Sequence, residues 1–539
     1  MTNSIADMTT QAKSYLVIGS NTTEQHPVIG IQLRKAARDG VKLVVADPRR
    51  VGLTEFATLH LQHRPGSDIA LLNALAHVLI AEDLYDHDFV TRRTEGFDAL
   101  KEAIVNYTPE HAESITGVPA EDIRVAARIL ATNRPGAVLY AMGITQHATG
   151  HQNVLSVANL QMLLGNLGIP GGGVNPLRGQ NNVQGACDMG CLPNYYPGYQ
   201  QIADEPTRAK FKEAWGGVGS TKPGLTLVEM LNEAEAGSVK AMFILGENPM
   251  MTDPDTNHVR RCLERLDFLV VQEIFMSETA ALADVILPGV TFAEKEGTFT
   301  NTERRVQRVR QAIQPLGGAR PDWQITCDLA RRVEARLGNQ SQARVGTWDY
   351  ANPSAVMAEI NALVPAYGGI TYARIERDGL QWPCPTSEHP GTPILHVGRF
   401  SRGLGKFHAV DWLPAPELPN EEYPLLLTTG RVLYHWHGGT MSRRSAGLSD
   451  IYPEGLIEIN PMDAARLRVA NGEMVKVTSR RGQVVAKAEV VDRPGPGVVF
   501  MTFHFEESAA NLLTIAALDP VAKIPELKTA AVRVERIGA

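Results

Sequence analysis

The chain is 539 residues long, 44% apolar and 21% charged, with 59 acidic against 52 basic side chains and a formal net charge of −7. That apolar content excludes a disordered chain, the glycines follow no collagen-like period, and nothing suggests the dominant basic face that nucleic acid requires. The length exceeds what one hydrophobic core normally supports, so about three packed units are expected.

No uncharged apolar run reaches the roughly 18 residues that cross a bilayer, and the N-terminal segment lacks the basic and apolar regions of a signal peptide. The five cysteines, Cys187, Cys191, Cys262, Cys327 and Cys384, include no CxxC pair. Neither a zinc ribbon nor an iron–sulfur cluster can be built from them alone, and they read as mostly buried thiols in a reducing compartment. The expected location is cytoplasmic.

In chain order, Tyr15-Leu-Val-Ile-Gly19-Ser20-Asn21 reads as a buried strand closing in a glycine turn. Pro27 to Gly40 carries Ile29, Leu33 and Ala36 at helical spacing, with proline in the first turn and glycine as the stop. Val41-Lys-Leu-Val-Val-Ala46, ending at Asp47-Pro48-Arg49, is a second strand, and the three elements make a βαβ unit. Asp68 to Ile80 reads as helix and Gly136 to Met142 as a strand. The βαβ pattern returns in Ala241-Met-Phe-Ile-Leu-Gly246-Glu247-Asn248, the amphipathic Asn257 to Leu266, and Phe268-Leu-Val-Val-Gln272-Glu273. From glycine to terminal acid the spacing is 28 residues in the first unit and 27 in the second, an internal pseudo-repeat. Neither turn is a GxGxxG, so the usual NAD fingerprint is absent. Residues 352–420 are rich in Pro and Gly with little periodicity and read as loops and a connector. Short alternating strands then follow, Ile457–Asn460, Met474–Ser479, Gln483–Val491 and Val498–Thr502, the pattern of a small β-barrel.

The segment richest in chemistry runs Gly171-Gly-Gly-Val-Asn175-Pro-Leu-Arg178-Gly-Gln180-Asn-Asn-Val-Gln-Gly-Ala-Cys187-Asp188-Met-Gly190. It holds too few large apolar side chains to be ordinary core. It reads either as a surface loop held by amide hydrogen bonds or as a site in which the Arg178 fork meets a carboxylate or phosphate.

Asn175 to Gly190 resembles the signature of the catalytic subunits of molybdenum- or tungsten-dependent formate dehydrogenases. Gly19-Ser-Asn21, Asp47-Pro-Arg49, Gly66-Ser-Asp68, Gly165-Asn-Leu-Gly168, Ala283-Asp-Val-Ile-Leu-Pro288 and Glu294 to Asn301 resemble the wider family of bis-(molybdopterin guanine dinucleotide) oxidoreductases. The resemblance implies an α/β chain with two Rossmann-like parallel-sheet domains and a C-terminal six-stranded barrel of the double-psi type. The expected domains are 1–180 with the first dinucleotide site and the arginine loop, 181–340 with the second site, a connector over 341–420, and the dinucleotide-binding barrel over 421–539.

Carried across, the resemblance implies a first guanine dinucleotide held by Asn21, Asp47, Arg49, Gly66 and Asp68, with Met142, Gly143 and Gln146 near the pterins and metal and Gln180 also binding cofactor. A second would be held by Gly246, Glu247, Thr252, Gln272 and Asp322. Arg431, His437, Thr440, Met441, Ser442, Asn511 and Lys528 would close over the pterins from the barrel, although Tyr434-His435-Trp436-His437 reads equally as ordinary polar loop. Arg178 would hold formate during its reversible two-electron oxidation to CO₂ at a Mo or W centre. The alternatives are another molybdopterin oxidoreductase of the nitrate or polysulfide reductase type, or an inactive pterin-binding or structural fragment.

The family also carries a four-cysteine [4Fe–4S] domain and a selenocysteine or cysteine metal ligand followed by histidine, and these 539 residues hold no counterpart of either. Met1-Thr-Asn-Ser-Ile resembles the stretch just beyond that pair. The chain is therefore expected to be the larger share of a catalytic subunit, inactive alone and with no metal ligand of its own. A UGA selenocysteine codon read as stop accounts for such a start; a split gene and a truncation are the alternatives. The implied partners are iron–sulfur electron-transfer subunits or a diaphorase or hydrogenase, with no nucleic acid and no membrane span.

Overall fold

A computed structural model describes residues 1–217, 220–337 and 348–537. They form two compact units, one of residues 1–179, 249–260 and 394–539, the other of residues 180–248 and 261–393.

The first unit opens on β1 (Ser14–Ile18), α1 (Pro27–Arg38), β2 (Lys42–Ala46) and β3 (Leu59–Leu61). α2 (Asp68–Ala81), β4 (Gly136–Tyr140), α3 (Gly150–Leu163) and β5 (Val174–Pro176) follow. The five strands form one parallel sheet in the order β3-β2-β1-β4-β5. Alternation along the strands feeds two cores. Leu16, Ile18, Val44 and Ala46 pack with α2 and α3 on one face, while Tyr15, Val17, Leu43 and Val45 pack with Ile29 and Leu33 of α1 on the other. Both faces are covered, as a parallel sheet requires.

The second unit begins with the short α4 (Val183–Asp188) and α5 (Leu227–Ala236). β6 (Ala241–Leu245), β7 (Phe268–Glu273) and β8 (Val285–Pro288) form a three-stranded parallel sheet in the order β8-β7-β6. β9 (Gly297–Thr300) and β10 (Arg305–Val309) pair antiparallel, and α7, numbered after the helix α6 (Thr256–Glu264), spans Asp322–Leu337. The stretch from 352 differs from the loop expected of its composition. It opens with α8 (Pro353–Leu363), capped by the Asn352 side chain, which accepts from the Ala355 N–H at 3.1 Å. Met357 of that helix packs with Val306, Val364, Tyr367 and Ile370 in a core of the unit's own. The Pro-Gly content hid a single three-turn helix carrying a cap and a proline at its first position.

Back in the first unit, β12 (Leu425–Gly430), β13 (Leu456–Ile459), β14 (Met474–Thr478), β15 (Gln483–Val490), β16 (Val498–Thr502) and β17 (Ala530–Arg536) close into a barrel, β11 being the short Leu380–Gln381 of the second unit. The barrel order is β12-β16-β13-β15-β14-β17, and β17 returns to β12. Its interior is aliphatic, with Leu425, Leu427, Ile457, Val475, Val477, Val499 and Val532 buried together. Among the described residues, no helix is long and apolar enough to cross a membrane. Of the five cysteines, Cys262, Cys327 and Cys384 are buried, Cys187 is half-buried and Cys191 is exposed.

Candidate active site

In the five-stranded sheet the connections run outward from β1 toward β3 and then jump back to β4. The crevice beyond the ends of β1 and β4 is therefore the topological switch point at which open α/β sheets bind ligands. Gly19 closes β1 with φ +56°, and the Gly143 N–H donates to its carbonyl at 3.1 Å. A Cβ on Gly19 would lie 2.7 Å from the Gly143 carbonyl carbon, and one on Gly143 would lie 2.6 Å from the Gly19 Cα. Only two glycines let the turns meet this closely.

Beside them the chain from β5 is held at three successive residues. The Leu177 N–H donates to the Tyr140 carbonyl at 2.8 Å. His26 Nε2 donates to the Arg178 carbonyl at 2.8 Å, and Arg431 Nη1 to the Gly179 carbonyl at 3.2 Å. Arg178 is thus placed by its backbone: a sheet end, the residue that opens α1 and the barrel each take one carbonyl or N–H of this stretch. Burial pushes the His26 imidazole below its ordinary value, and the nearby Arg431 charge adds to that. The hydrogen bond to the Arg178 carbonyl, which raises it, opposes both, and that bond fixes a proton on Nε2.

Arg431 and Lys528 are both buried, 8% and 9% exposed. Lys528 Nζ donates to the Thr429 carbonyl at 2.7 Å. Burial and the charges of Arg431 and Arg49 push Lys528 down to about 7. The Thr502 hydroxyl, on the residue paired with Gly430 next to Arg431, is buried with no hydrogen-bond partner, and so are those of Ser20 and Thr22 just beyond β1. Buried cations crowding one another beside orphaned hydroxyls are complementary to an anion with many acceptor oxygens. The first unit therefore fits a phosphate-bearing dinucleotide.

The other expected residues divide. Asp47 is partly buried and accepts from the Arg49 N–H at 2.9 Å, and burial raises its carboxyl. The Arg49 guanidinium turns into a buried pair with Glu458, 3.1 Å from Oε1 and 3.2 Å from Oε2, stacked on Phe500 at 3.4 Å from the ring centroid. Asp68 lies in a buried chain of charges. His63 Nε2 is 3.0 Å from its Oδ1, His147 Nε2 is 3.8 Å from its Oδ2, and His147 Nδ1 is 3.0 Å from Glu526 Oε1. Against the opposing effect of burial, Glu526 and Asp68 hold His147 up at about 9, and its Nε2 donates to the Gly143 carbonyl at 2.9 Å. Met142 opens the short helix after β4, and the Gln146 carbonyl accepts from the Leu527 N–H at 3.1 Å. The Gly66 carbonyl accepts from Trp412 Nε1 at 2.9 Å.

Thr252 meets the barrel loop: a Cβ on Gly438 would lie 3.5 Å from its Cγ2, and Asn511 Nδ2 donates to the Met251 carbonyl at 2.8 Å. His437, Thr440, Met441 and Ser442 follow along that loop, where the Ser442 Oγ accepts from the Trp436 N–H at 2.9 Å. His504 spans the loop, accepting from the Val432 N–H and donating to the His437 carbonyl, and burial pushes it down to about 3.

In the second unit, Gly246 ends β6 with φ +62° and its N–H donates to the Gln272 carbonyl at 2.9 Å. Gln272 Nε2 donates to Asp322 Oδ1 at 2.8 Å, Lys295 pairs with the same carboxylate, and Glu247 Oε1 accepts from the Asn248 N–H at 3.1 Å. Gly246, Gln272 and Asp322 thus gather at the ends of β6 and β7. Gln180 opens this unit. Asp188, in the segment that carries the formate dehydrogenase resemblance, accepts from Gln184 at 2.8 Å, Tyr199 at 3.0 Å, Tyr367 at 2.6 Å and Trp382 at 2.7 Å.

Residues 1–332 match the molybdopterin oxidoreductase family, and residues 425–531 match the molydopterin dinucleotide binding domain. The chain belongs to the molybdopterin oxidoreductases. It is 47% identical over 541 residues to F420-dependent formate dehydrogenase 1 subunit alpha of Methanococcus maripaludis, covering all of this chain and 78% of that one. It is 48% identical over 539 residues to the F420-dependent formate dehydrogenase subunit alpha of Methanocaldococcus jannaschii, with the same coverage. Formate dehydrogenase H of Escherichia coli is 41% identical over 97% of this chain and 72% of its own length. Among solved structures, acetylene hydratase from Pelobacter acetylenicus shares the fold, with a TM-score of 0.75 at 20% identity over 98% of this chain and 78% of that one.

Residues of this molybdopterin oxidoreductase that sequence reasoning passed over are His26, His147, Glu458 and Glu526. Each acts on a partner far along the chain, so local spacing carries no sign of it.

Proposed function

We propose that this chain is the formate-oxidising subunit of a formate dehydrogenase, converting formate reversibly to CO₂, one proton and two electrons. The observation that carries the reading is the arginine held by its backbone at the switch point, with buried Arg431 and Lys528 alongside. Its support from kinship is the identity with formate dehydrogenase alpha subunits along the whole chain.

The first unit would take one guanine dinucleotide between Asn21, Asp47, Gly66, Gly143 and the barrel residues Arg431, His437 to Ser442, Asn511 and Lys528. In the second unit the other would lie at Gly246, Glu247, Gln272 and Asp322. When bound, the molybdenum or tungsten pterin centre supplies the two-electron acceptor. Arg178 binds the formate carboxylate through its planar fork and directs the C–H bond. Positioning of this kind contributes about 7–11 kcal/mol of barrier reduction in the best cases. His26 and Arg431 keep the arginine's own backbone from drifting. The iron–sulfur cluster and the electron-transfer partner, an iron–sulfur subunit, diaphorase or hydrogenase, belong to the assembled enzyme.

In the assembled holoenzyme, Arg178→Lys keeps the charge and loses the fork. Formate oxidation is expected to collapse while pterin content, read by fluorescence after oxidation, and metal content stay at wild-type levels. Wild-type turnover in that variant sinks the assignment.

A further inference from the structure

The turn that follows β4 is too short to hold itself. Met142–Thr145 is a single turn of helix, which fixes more dihedral angles than its hydrogen bonds repay. Its place beside Gly19 is therefore set from outside. Asn153 of α3 supplies one tie, its Nδ2 donating to the Ile144 carbonyl at 2.8 Å. The others come from one short stretch just before β17. The Leu527 N–H donates to the Gln146 carbonyl at 3.1 Å, Glu526 Oε2 accepts from the Ala148 N–H at 2.9 Å, and Glu526 Oε1 lies 3.0 Å from His147 Nδ1. His147 passes the hold on, its Nε2 donating to the Gly143 carbonyl at 2.9 Å. Glu526 and His147 are 1% and 2% exposed. Glu526 is itself fixed: its N–H donates to the Ala517 carbonyl at 2.8 Å, and its Oε1 accepts from the Lys528 N–H at 3.2 Å.

The His147 ring has an acceptor at each end, a carboxylate at Nδ1 and a carbonyl at Nε2. It serves both only with a proton on each nitrogen, and the Glu526 charge, with Asp68 at 3.8 Å from Nε2, keeps the second proton there. Without Glu526 the ring is released to either neutral tautomer, and only one of them donates to Gly143. We propose that Glu526 is a positioning residue for formate oxidation: acting through His147, it holds the Met142–Gln146 turn in place at the switch point. The inference rests on reading that crevice as the pterin site. Arg178 is placed separately, by β4, His26 and Arg431, so Glu526 bears on turnover and not on formate binding.

Two preparations test it. In the cofactor-free chain, hydrogen–deuterium exchange of the amides over 143–148 is expected to quicken several-fold in Glu526→Ala, with circular dichroism unchanged. In the assembled holoenzyme the same variant is expected to lose about 10–100-fold in kcat, the range for groups that orient what surrounds a metal centre, while formate KM and pterin content stay at wild-type levels. Glu526→Gln, whose amide accepts from Ala148 and donates to Nδ1, leaves the Nε2 proton on the ring and is expected to restore both exchange and kcat. His147→Ala cuts the link from its other end with the same expectations, should Glu526→Ala not fold, and the double variant is expected to be no worse than either alone. A Glu526→Gln enzyme as slow as Glu526→Ala overturns the proposal, because charge and not position is then what matters. So does a raised KM at unchanged kcat, or a loss of kcat matched by loss of pterin. Exchange that stays at wild-type rates overturns the tie itself, whatever the enzyme does with formate. A wild-type holoenzyme without formate oxidation removes the catalytic reading, and the positioning role with it, but leaves the exchange result standing.

Discussion

The Gly143 N–H donates to the Gly19 carbonyl at 3.1 Å, so the turns that end two neighbouring parallel strands touch backbone to backbone. Gly143→Ala would put a methyl 2.6 Å from the Gly19 Cα, against backbone that cannot yield as a side chain would. Overpacking of this kind costs about 1–3 kcal/mol. The expected outcome is a lower thermal midpoint together with lost pterin, since relieving the clash opens the floor of the crevice. A variant with wild-type stability and pterin content would show that this contact is incidental.

Arg49 and Glu458 are 7% and 4% exposed and joined at 3.1 Å. Glu458→Ala leaves the guanidinium buried with the Phe500 ring as its remaining neighbour on that side, and breaking such a pair costs about 3–5 kcal/mol. Arg493, 3.1 Å from the same carboxylate, is left with Glu489 alone, at 2.8 Å. Replacing Arg49 and Glu458 together by Met is expected to recover most of the loss in chemical denaturation. If the double variant is no more stable than Glu458→Ala, the charges are not what couples the β2 turn to the barrel.

Which parts of this were legible follows from where the information sits. The turns at Gly19 and Gly246 and the barrel strands 474–478, 483–490 and 498–502 are written locally, in strand-like runs broken by turn residues, and the structure places them as read. The outer barrel strands were not legible. Leu425–Gly430 is buried throughout and shows no alternation, while in Ala530–Arg536 the alternation is confined to the short run Val532-Arg533-Val534-Glu535. The glycines and Arg178 of the site stand in recognisable motifs. His147 and Glu526 do not: they are 379 positions apart, and only the closed fold makes them an ion pair.

That ion pair gives stability a particular dependence on pH. Burial alone would lower His147, but Glu526 and then Asp68 outweigh it and raise the imidazole from 6.5 to about 9. A folded-state value above the unfolded one means a contribution present in full below 6.5 and lost as pH climbs toward 9. The stability difference between wild type and His147→Gln, measured by denaturant titration at successive pH values, is expected to shrink across that window. A constant difference would mean that the imidazole is neutral throughout and serves only as a donor to the Gly143 carbonyl.

Asp188 gathers four donors on one buried carboxylate, from residues as distant as Gln184 and Trp382. Burial raises its carboxyl, against the hydrogen bonds of Tyr367, Gln184, Tyr199 and Trp382. Asp188→Ala removes the acceptor the four share; Gln184 keeps the Tyr199 oxygen at 3.0 Å and Tyr367 keeps Thr300 at 3.5 Å, and a donor left unsatisfied, such as the Trp382 N–H, costs about 1–3 kcal/mol. The expected result is cooperative loss of the second unit's fold, seen as faster proteolysis within 180–248 and 261–393. Proteolysis unchanged from wild type would show that the donors find other acceptors.

Lys528 offers the clearest separation of binding from stability, because the two are expected to move in opposite directions. Its ammonium is buried with Arg431 and Arg49 nearby, and burial first, then those charges, lower it from 10.5 to about 7. In the cofactor-free protein this is a cost: the unfolded chain holds the proton more tightly, so stability rises as pH increases from 7 to 10.5. An anionic dinucleotide beside Lys528 would reverse that, keeping the ammonium charged and repaying its burial. Lys528→Met fills similar volume without the charge. Cofactor-free protein carrying it is expected to gain stability, on the order of a few kcal/mol at neutral pH, and to lose that pH slope. The same variant assembled with cofactor is expected to retain less pterin. A variant that is less stable without cofactor yet holds pterin normally would identify Lys528 as a tether for the Thr429 carbonyl and nothing more.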